Sequence, residues 1–147
     1  MGGRMSENKL PDVQKENSMQ IQKDMIGEHF TNLANSKKNN QKVLAVFDID
    51  STLFDVSPRL EKILLEFADD PHMQKKFPEQ IPLLKQIKTL GTDWGITNAL
   101  ERVGLDGHHQ DFQDSVHQWW HERFFSNEYV KYDKPYEGAV DYVKALY

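Results

Sequence analysis

The apolar positions of this 147-residue chain fall into three regimes. Up to Lys42 they are sparse: Leu10, Ile21, Ile26, Phe30 and Leu33 stand among Asn, Gln, Lys, Ser and Met. Met19, Ile26, Phe30 and Leu33 approximate one stripe. Residues 1–42 therefore read as a polar extension, either disordered or carrying one helix over residues 13–34. Next, Val43, Leu44, Ala45, Val46 and Phe47 run without alternation between polar stretches, which predicts a strand buried on both faces, as in a parallel sheet. From Ser57 the spacing turns helical. Ser57-Pro58 reads as an N-cap and first helical position for a helix with Leu60, Ile63, Leu64 and Phe67 on one face, ended by a turn at Asp69-Asp70-Pro71. Leu83, Leu84, Ile87 and Leu90 predict a second helix stopped by Gly91. Thr92 or Asp93 is placed to cap a third, carrying Ile96, Ala99, Leu100 and Val103 before Gly104. Phe112, Val116, Trp119, Trp120 and Phe124 give a fourth, and Pro135 opens a last one with Tyr136, Ala139, Val140, Val143 and Leu146.

Composition narrows the picture. Hydrophobic residues at 38% and charged residues at 28% supply the core of one ordinary domain. With 23 acidic against 18 basic residues the net charge is -5, so the chain lacks the broad basic surface that a phosphate backbone needs, and nucleic acid is not the expected partner. The absence of Cys excludes disulfides, thiolate zinc sites and Cys nucleophiles. No apolar run approaches the roughly 18 residues of a membrane span, and the first residues have no signal-peptide core. The expectation is a soluble cytoplasmic protein without a membrane partner.

Chemistry enters at Asp48-Ile49-Asp50. Strand ends in α/β sheets open onto the crevice where ligands bind, so Asp48 is expected at the carboxyl edge of a sheet. Two carboxylates there repel unless a proton or cation compensates them, and a hard divalent ion, most naturally Mg²⁺, meets that need. Asp48 could then hold metal and attack an electrophile while Asp50 moves a proton. The backbone N–H groups of Ile49 and Asp50 could hold phosphate oxygens. The spacing alone fits equally well a loop turn whose two acids prefer water.

The wider string at positions 43–55, Val-Leu-Ala-Val-Phe-Asp-Ile-Asp-Ser-Thr-Leu-Phe-Asp, resembles the first signature of the haloacid dehalogenase-like (HAD) hydrolase superfamily: an apolar strand, then Asp-x-Asp-x-Thr-Leu. The resemblance implies an α/β fold, a Rossmann-like core with an inserted helical C1 cap. Residues 43–55 and 133–147 would belong to the core and residues 56–132 to the cap. It implies a Mg²⁺-dependent phosphohydrolase of a small phosphorylated metabolite. Asp48 would be nucleophile and metal ligand, forming an aspartyl-phosphate. Asp50 would be general acid and base, lending its carbonyl to the metal, and Thr52 would support the phosphate-binding turn. The second Asp marks phosphatases and phosphotransferases within the group. The family pattern continues with a Ser or Thr, a Lys and further acids that residues 1–147 do not match, so the core is expected to be incomplete and the chain alone to turn over little phosphate ester. Two other readings stand beside this one: a non-catalytic binding or assembly module that keeps the signature, and a phosphotransferase or mutase.

Lesser candidates are weighed against simpler roles. His108, His109, Asp111, His117 and His121 form a His-rich patch with two histidines one helical turn apart, a spacing that can ligate zinc, but a polar helix face is the expected role. Trp119, Trp120, Phe124 and Phe125 could stack a ligand, yet aromatic residues at helical spacing are expected in a core. Arg59, eleven residues after Asp48, could reach a substrate entrance, with a solvated arginine as the simpler expectation.

Overall fold

The computed structural model describes residues 12–39, 41–42, 44–105, 107 and 109–146. They are mostly helical, with one two-stranded sheet, and the chain divides after Val46 into two compact units. In the first unit, α1 (Asp12–Lys38) is a single long helix with Lys37 and Lys38 in its last turn, where cations complement the helix dipole. Ile21, Met25 and Ile26 on it remain 60%, 65% and 43% exposed.

The strand expected at 43–47 does not form. Leu44 and Val46 are exposed, Phe47 is half-buried, and Val43 lies outside the described residues. A strand covered on both faces needs paired neighbours. Among the described residues the one ladder joins β1 (Phe54–Asp55) to β2 (Lys134–Pro135), antiparallel, with Phe54 opposite Pro135. Nothing there flanks residues 44–47.

The second unit is built around α2 (Ser57–Asp69). Leu60, Ile63, Leu64 and Phe67 share its inner face and are at most 1% exposed. Helix α2 lies against α6 (Gln110–Phe124), which contributes Phe112, Val116 and Phe124, and against α3 (Pro71–Lys76) and α4 (Ile81–Leu84). The Phe67 ring meets Phe77, Phe112 and Trp119 at centroid distances of 6.1, 5.9 and 5.5 Å. Burial of each such side chain stabilises by about 1.5–3 kcal/mol, so this cluster is the main apolar anchor of the unit.

Several element ends differ from the sequence expectation, each for a local reason. Helix α2 already includes Ser57. Val56 stands at its N-cap without a side-chain bond, and the Ser57 N–H donates to Asp55 Oδ1 at 2.9 Å. The second expected helix shrinks to the single turn of α4. Beyond it the chain is pulled onto α2: the Thr89 hydroxyl donates to the Ser57 carbonyl at 2.6 Å and the Thr89 N–H to Glu61 at 3.2 Å. This leaves Ile87 buried and Leu90 49% exposed. Helix α5 (Ile96–Arg102) begins after Gly95, not at Thr92 or Asp93. Asp93 is buried instead, accepting from the Leu90 N–H and from Arg102. After the short α7 (Asn127–Val130), Pro135 lies in β2, so the last helix, α8 (Ala139–Ala145), starts later, past Gly138 at φ 80°. No helix among the described residues is long and apolar enough to cross a membrane.

Candidate active site

The Asp48–Phe54 segment is a tight loop closed on itself. The Ile49 carbonyl accepts from the N–H groups of Thr52, Leu53 and Phe54 at 3.3, 3.0 and 3.0 Å, and the Ser51 N–H donates to the Phe54 carbonyl at 2.8 Å. Ser51 holds φ at 59°, a left-handed conformation that costs a non-glycine residue about 1–2 kcal/mol. The Tyr136 N–H donates to the Leu53 carbonyl at 2.9 Å and ties the loop to the segment after β2.

This loop aims Asp48. Its Oδ1 accepts from the Ile49 N–H at 2.9 Å and its Oδ2 from the Thr52 hydroxyl at 3.1 Å, so both oxygens are fixed while the residue stays exposed. The Ile49 N–H expected to face a phosphate is thereby engaged with Asp48, and its side chain is 57% exposed. Thr52 acts as an orienting donor.

Asp50 leads into the helical body. Its Oδ1 accepts from Arg59 Nη2 at 2.9 Å while its side chain remains 45% exposed. Arg59 is not a solvated arginine; it is 3% exposed. Its Nε and Nη2 donate to the two carboxylate oxygens of Asp133 at 2.8 and 2.7 Å, and its Nη1 donates to the Phe124 carbonyl at 2.9 Å. Its guanidinium stacks 4.0 Å from the centroid of the Phe124 ring. A planar fork suits this arrangement, since each of the three nitrogens donates to an acceptor and the charge is shared by two carboxylates. Burial pushes the Asp133 carboxyl above its usual range, with Asp50 and Asp55 adding to the rise against the pull of Arg59.

Two recesses border the loop. One, of about 490 Å³, is lined by Phe47, Asp48, Ile49, Asp50, Arg59, Val130 and Asp133. The other, of about 600 Å³, is lined by Asp48, Asp50, Ser51 and Thr52 of the loop and by Trp94, Trp120, Phe124 and Phe125 among others. The loop is thus the shared wall of both.

The donor set suits a hard divalent cation in kind: Asp48 offers carboxylate oxygens and Asp50 a backbone carbonyl. Among the described residues no three His, Cys, Asp or Glu side chains gather into a ready metal site. Water would fill most of a Mg²⁺ shell here, as is usual for that ion. The His-rich patch does not assemble either. His117 and His121 are exposed on α6 beside the rings of Trp120 and Phe125, and His108 lies outside the described residues.

The aromatic set expected to be core divides. Phe124 is buried, and Trp119 packs on Phe67 under the Arg123 guanidinium at 3.4 Å. Trp120 is half-buried in the cleft wall, and Phe125 is 69% exposed. Sequence reasoning missed Asp133 and Trp94. Asp133 lies 74 residues after its partner and belongs to no periodic pattern. Trp94 follows an acid that looked like a cap. A scan against protein-family models and searches of curated proteins and of solved structures found no match.

Proposed function

We propose that this chain carries the nucleophile-bearing part of a cytoplasmic, Mg²⁺-dependent phosphohydrolase of the HAD type, acting on a small phosphorylated metabolite. In this reading the fold is α/β, with residues 56–132 as a helical cap beside a Rossmann-like core. The observation that carries it is Asp48: an exposed carboxylate held by two donors at the edge of a cleft, two residues before a second acid. An Asp48 oxygen attacks phosphorus and the ester P–O bond breaks, while Asp50 gives a proton to the departing oxygen. Asp50 then takes a proton from a water that attacks the same phosphorus, releasing phosphate and restoring Asp48. Ile49 and Thr52 keep the nucleophile aimed throughout. A bound Mg²⁺ would supply charge neutralisation between carboxylate and phosphate, held by Asp48 and the Asp50 carbonyl. Transfer to an acceptor other than water, as in a phosphotransferase or mutase, uses the same two acids.

One observation favours the non-catalytic alternative. Arg59 occupies an oxygen of Asp50, so the pair also reads as a structural tie between loop and helix. The experiment that separates these readings measures phosphate release from small phosphomonoesters by the full-length product of the encoding frame, with and without Mg²⁺. Asp48→Asn is expected to abolish turnover, and Asp50→Asn to slow it by about 10²- to 10⁴-fold. Undiminished turnover in Asp48→Asn, or in EDTA, overturns the mechanism. Mg²⁺ binding through Asp48 without phosphate release supports the assembly module.

A further inference from the structure

Carboxylates and aromatic rings share the lining of the larger cleft; Asp50 and Asp93 are paired with Arg59 and Arg102, while Asp48 is held by the uncharged Ile49 N–H and Thr52 hydroxyl. Its lining holds the carboxylates of Asp48, Asp50 and Asp93 and the rings of Trp94, Trp120, Phe124 and Phe125, and it includes no Lys or Arg. Aromatic faces carry the negative side of the ring quadrupole, and Trp carries the strongest. The rings of this region already bind cations: Arg59 lies 4.0 Å from the Phe124 centroid and Arg123 3.4 Å from that of Trp119. Trp120, Phe124 and Phe125 are contiguous, with centroids 5.1 to 6.2 Å apart. Among the described residues no side-chain cation covers Trp94, Trp120 or Phe125. Trp94 is 96% exposed, an unusual position for the largest apolar side chain. It is followed by Gly95 at φ 102°, a backbone conformation that other residues rarely adopt, so the Trp94 backbone is set by a neighbour chosen for that turn.

We infer that the aromatic side chains lining this cleft, Trp94, Trp120 and Phe125, receive an organic ammonium group, the cationic end of a small phosphorylated amino alcohol. The substrate assignment rests on the phosphohydrolase reading; the ammonium site itself does not. A volume of about 600 Å³ admits a compact molecule with its phosphate toward Asp48 and its ammonium toward the rings. A neutral planar group would gain stacking but not the attraction of a cation to the ring quadrupoles.

The test uses the 147-residue chain and tetramethylammonium chloride, read by intrinsic Trp fluorescence against sodium chloride of equal ionic strength and against tert-butanol as a neutral probe of similar size. A saturable change specific to the ammonium ion is expected. Trp94→Ala, at a side chain too exposed to hold the fold, should weaken it about 2- to 5-fold, and Trp119→Phe should leave it intact. An equal response to tert-butanol, no saturation, or an unchanged affinity in Trp94→Ala overturns the ammonium site. In turnover assays on the full-length product, trimethylammonium-ethyl phosphate should be preferred over 3,3-dimethylbutyl phosphate. A preference for a planar aryl phosphate overturns the proposal and keeps the phosphohydrolase. Ammonium binding without any Mg²⁺-dependent phosphate release rejects the phosphohydrolase and keeps the site.

Discussion

The Tyr129 hydroxyl donates to Glu66 across the gap between α7 and α2, and Lys62 reaches the same carboxylate at 3.0 Å. Burial, and then the Glu66 carboxylate, push the phenol up to about 12 from its ordinary 10.0. Burial pushes Glu66 up, but the Tyr129 and Lys62 hydrogen bonds outweigh it and leave the carboxyl below its usual range. The two shifts act at opposite ends of the pH scale. Tyr129 is raised, so its contribution is complete below pH 10 and is lost as pH climbs from there to about 12. Glu66 is lowered, so its contribution is present above the ordinary carboxylate range and is lost in acid. Tyr129→Phe should therefore cost about 1–3 kcal/mol at neutral pH by leaving Glu66 short of a donor. The same variant should flatten the alkaline fall of the thermal midpoint measured from pH 8 to 11. An alkaline slope equal to that of the wild type would show that Tyr129 does not set it.

At the scale of elements, what the sequence announces is mostly periodicity and punctuation. Asp70 ends α2 with its N–H on the Glu66 and Phe67 carbonyls and opens α3 by accepting from the N–H groups of His72 and Met73. One residue serves two helix ends. Asp70→Ala should lower stability by about 1 kcal/mol, read as a shift of the urea midpoint without a change in slope. The helical face of α2 and the aromatic face of α6 were legible because spacing alone sets which side is buried. Asp48, Asp50 and Thr52 were legible as a compact motif for the same reason: they are close in sequence. The shortened α4 was not, since Thr89 and Glu61 make their bond across 28 residues and local propensity does not see it. Nor was the fate of residues 44–47. An apolar run specifies that it prefers burial, but whether it becomes a strand depends on partners supplied elsewhere. Arg59 was misjudged because its three acceptors come from the loop, the end of α6 and the approach to β2.

For the molecule as a whole, the largest unbalanced feature is the apolar stretch ahead of the loop. Leu44 and Val46 are 85% and 84% exposed on a segment without a ladder among the described residues. Extended apolar backbone with open N–H and C=O groups is a template for pairing with another chain. The 147-residue chain should therefore associate with rising concentration in sedimentation velocity, and Val46→Lys should suppress it. A wild type that stays monomeric at high concentration removes this expectation.

Arg59 joins the Asp50 loop, its own helix, the last carbonyl of α6 and Asp133 in one buried knot. The knot governs the loop's fluctuations in time. Lifting the loop breaks the charge-assisted bond from the buried Arg59 to Asp50, worth about 1.5–3 kcal/mol, while Asp133 and the Phe124 carbonyl stay bonded to the guanidinium. In native-state amide exchange the Ser51 and Phe54 protons should then open with α2, as part of one cooperative unit rather than as a fraying end. Arg59→Ala should split that unit, so that Ser51 loses about 100-fold of its protection while the amides of Ile63 and Leu64 hold most of theirs. The chemistry at Asp48 would then depend on a loop kept still by a residue that lines the smaller recess and not the larger.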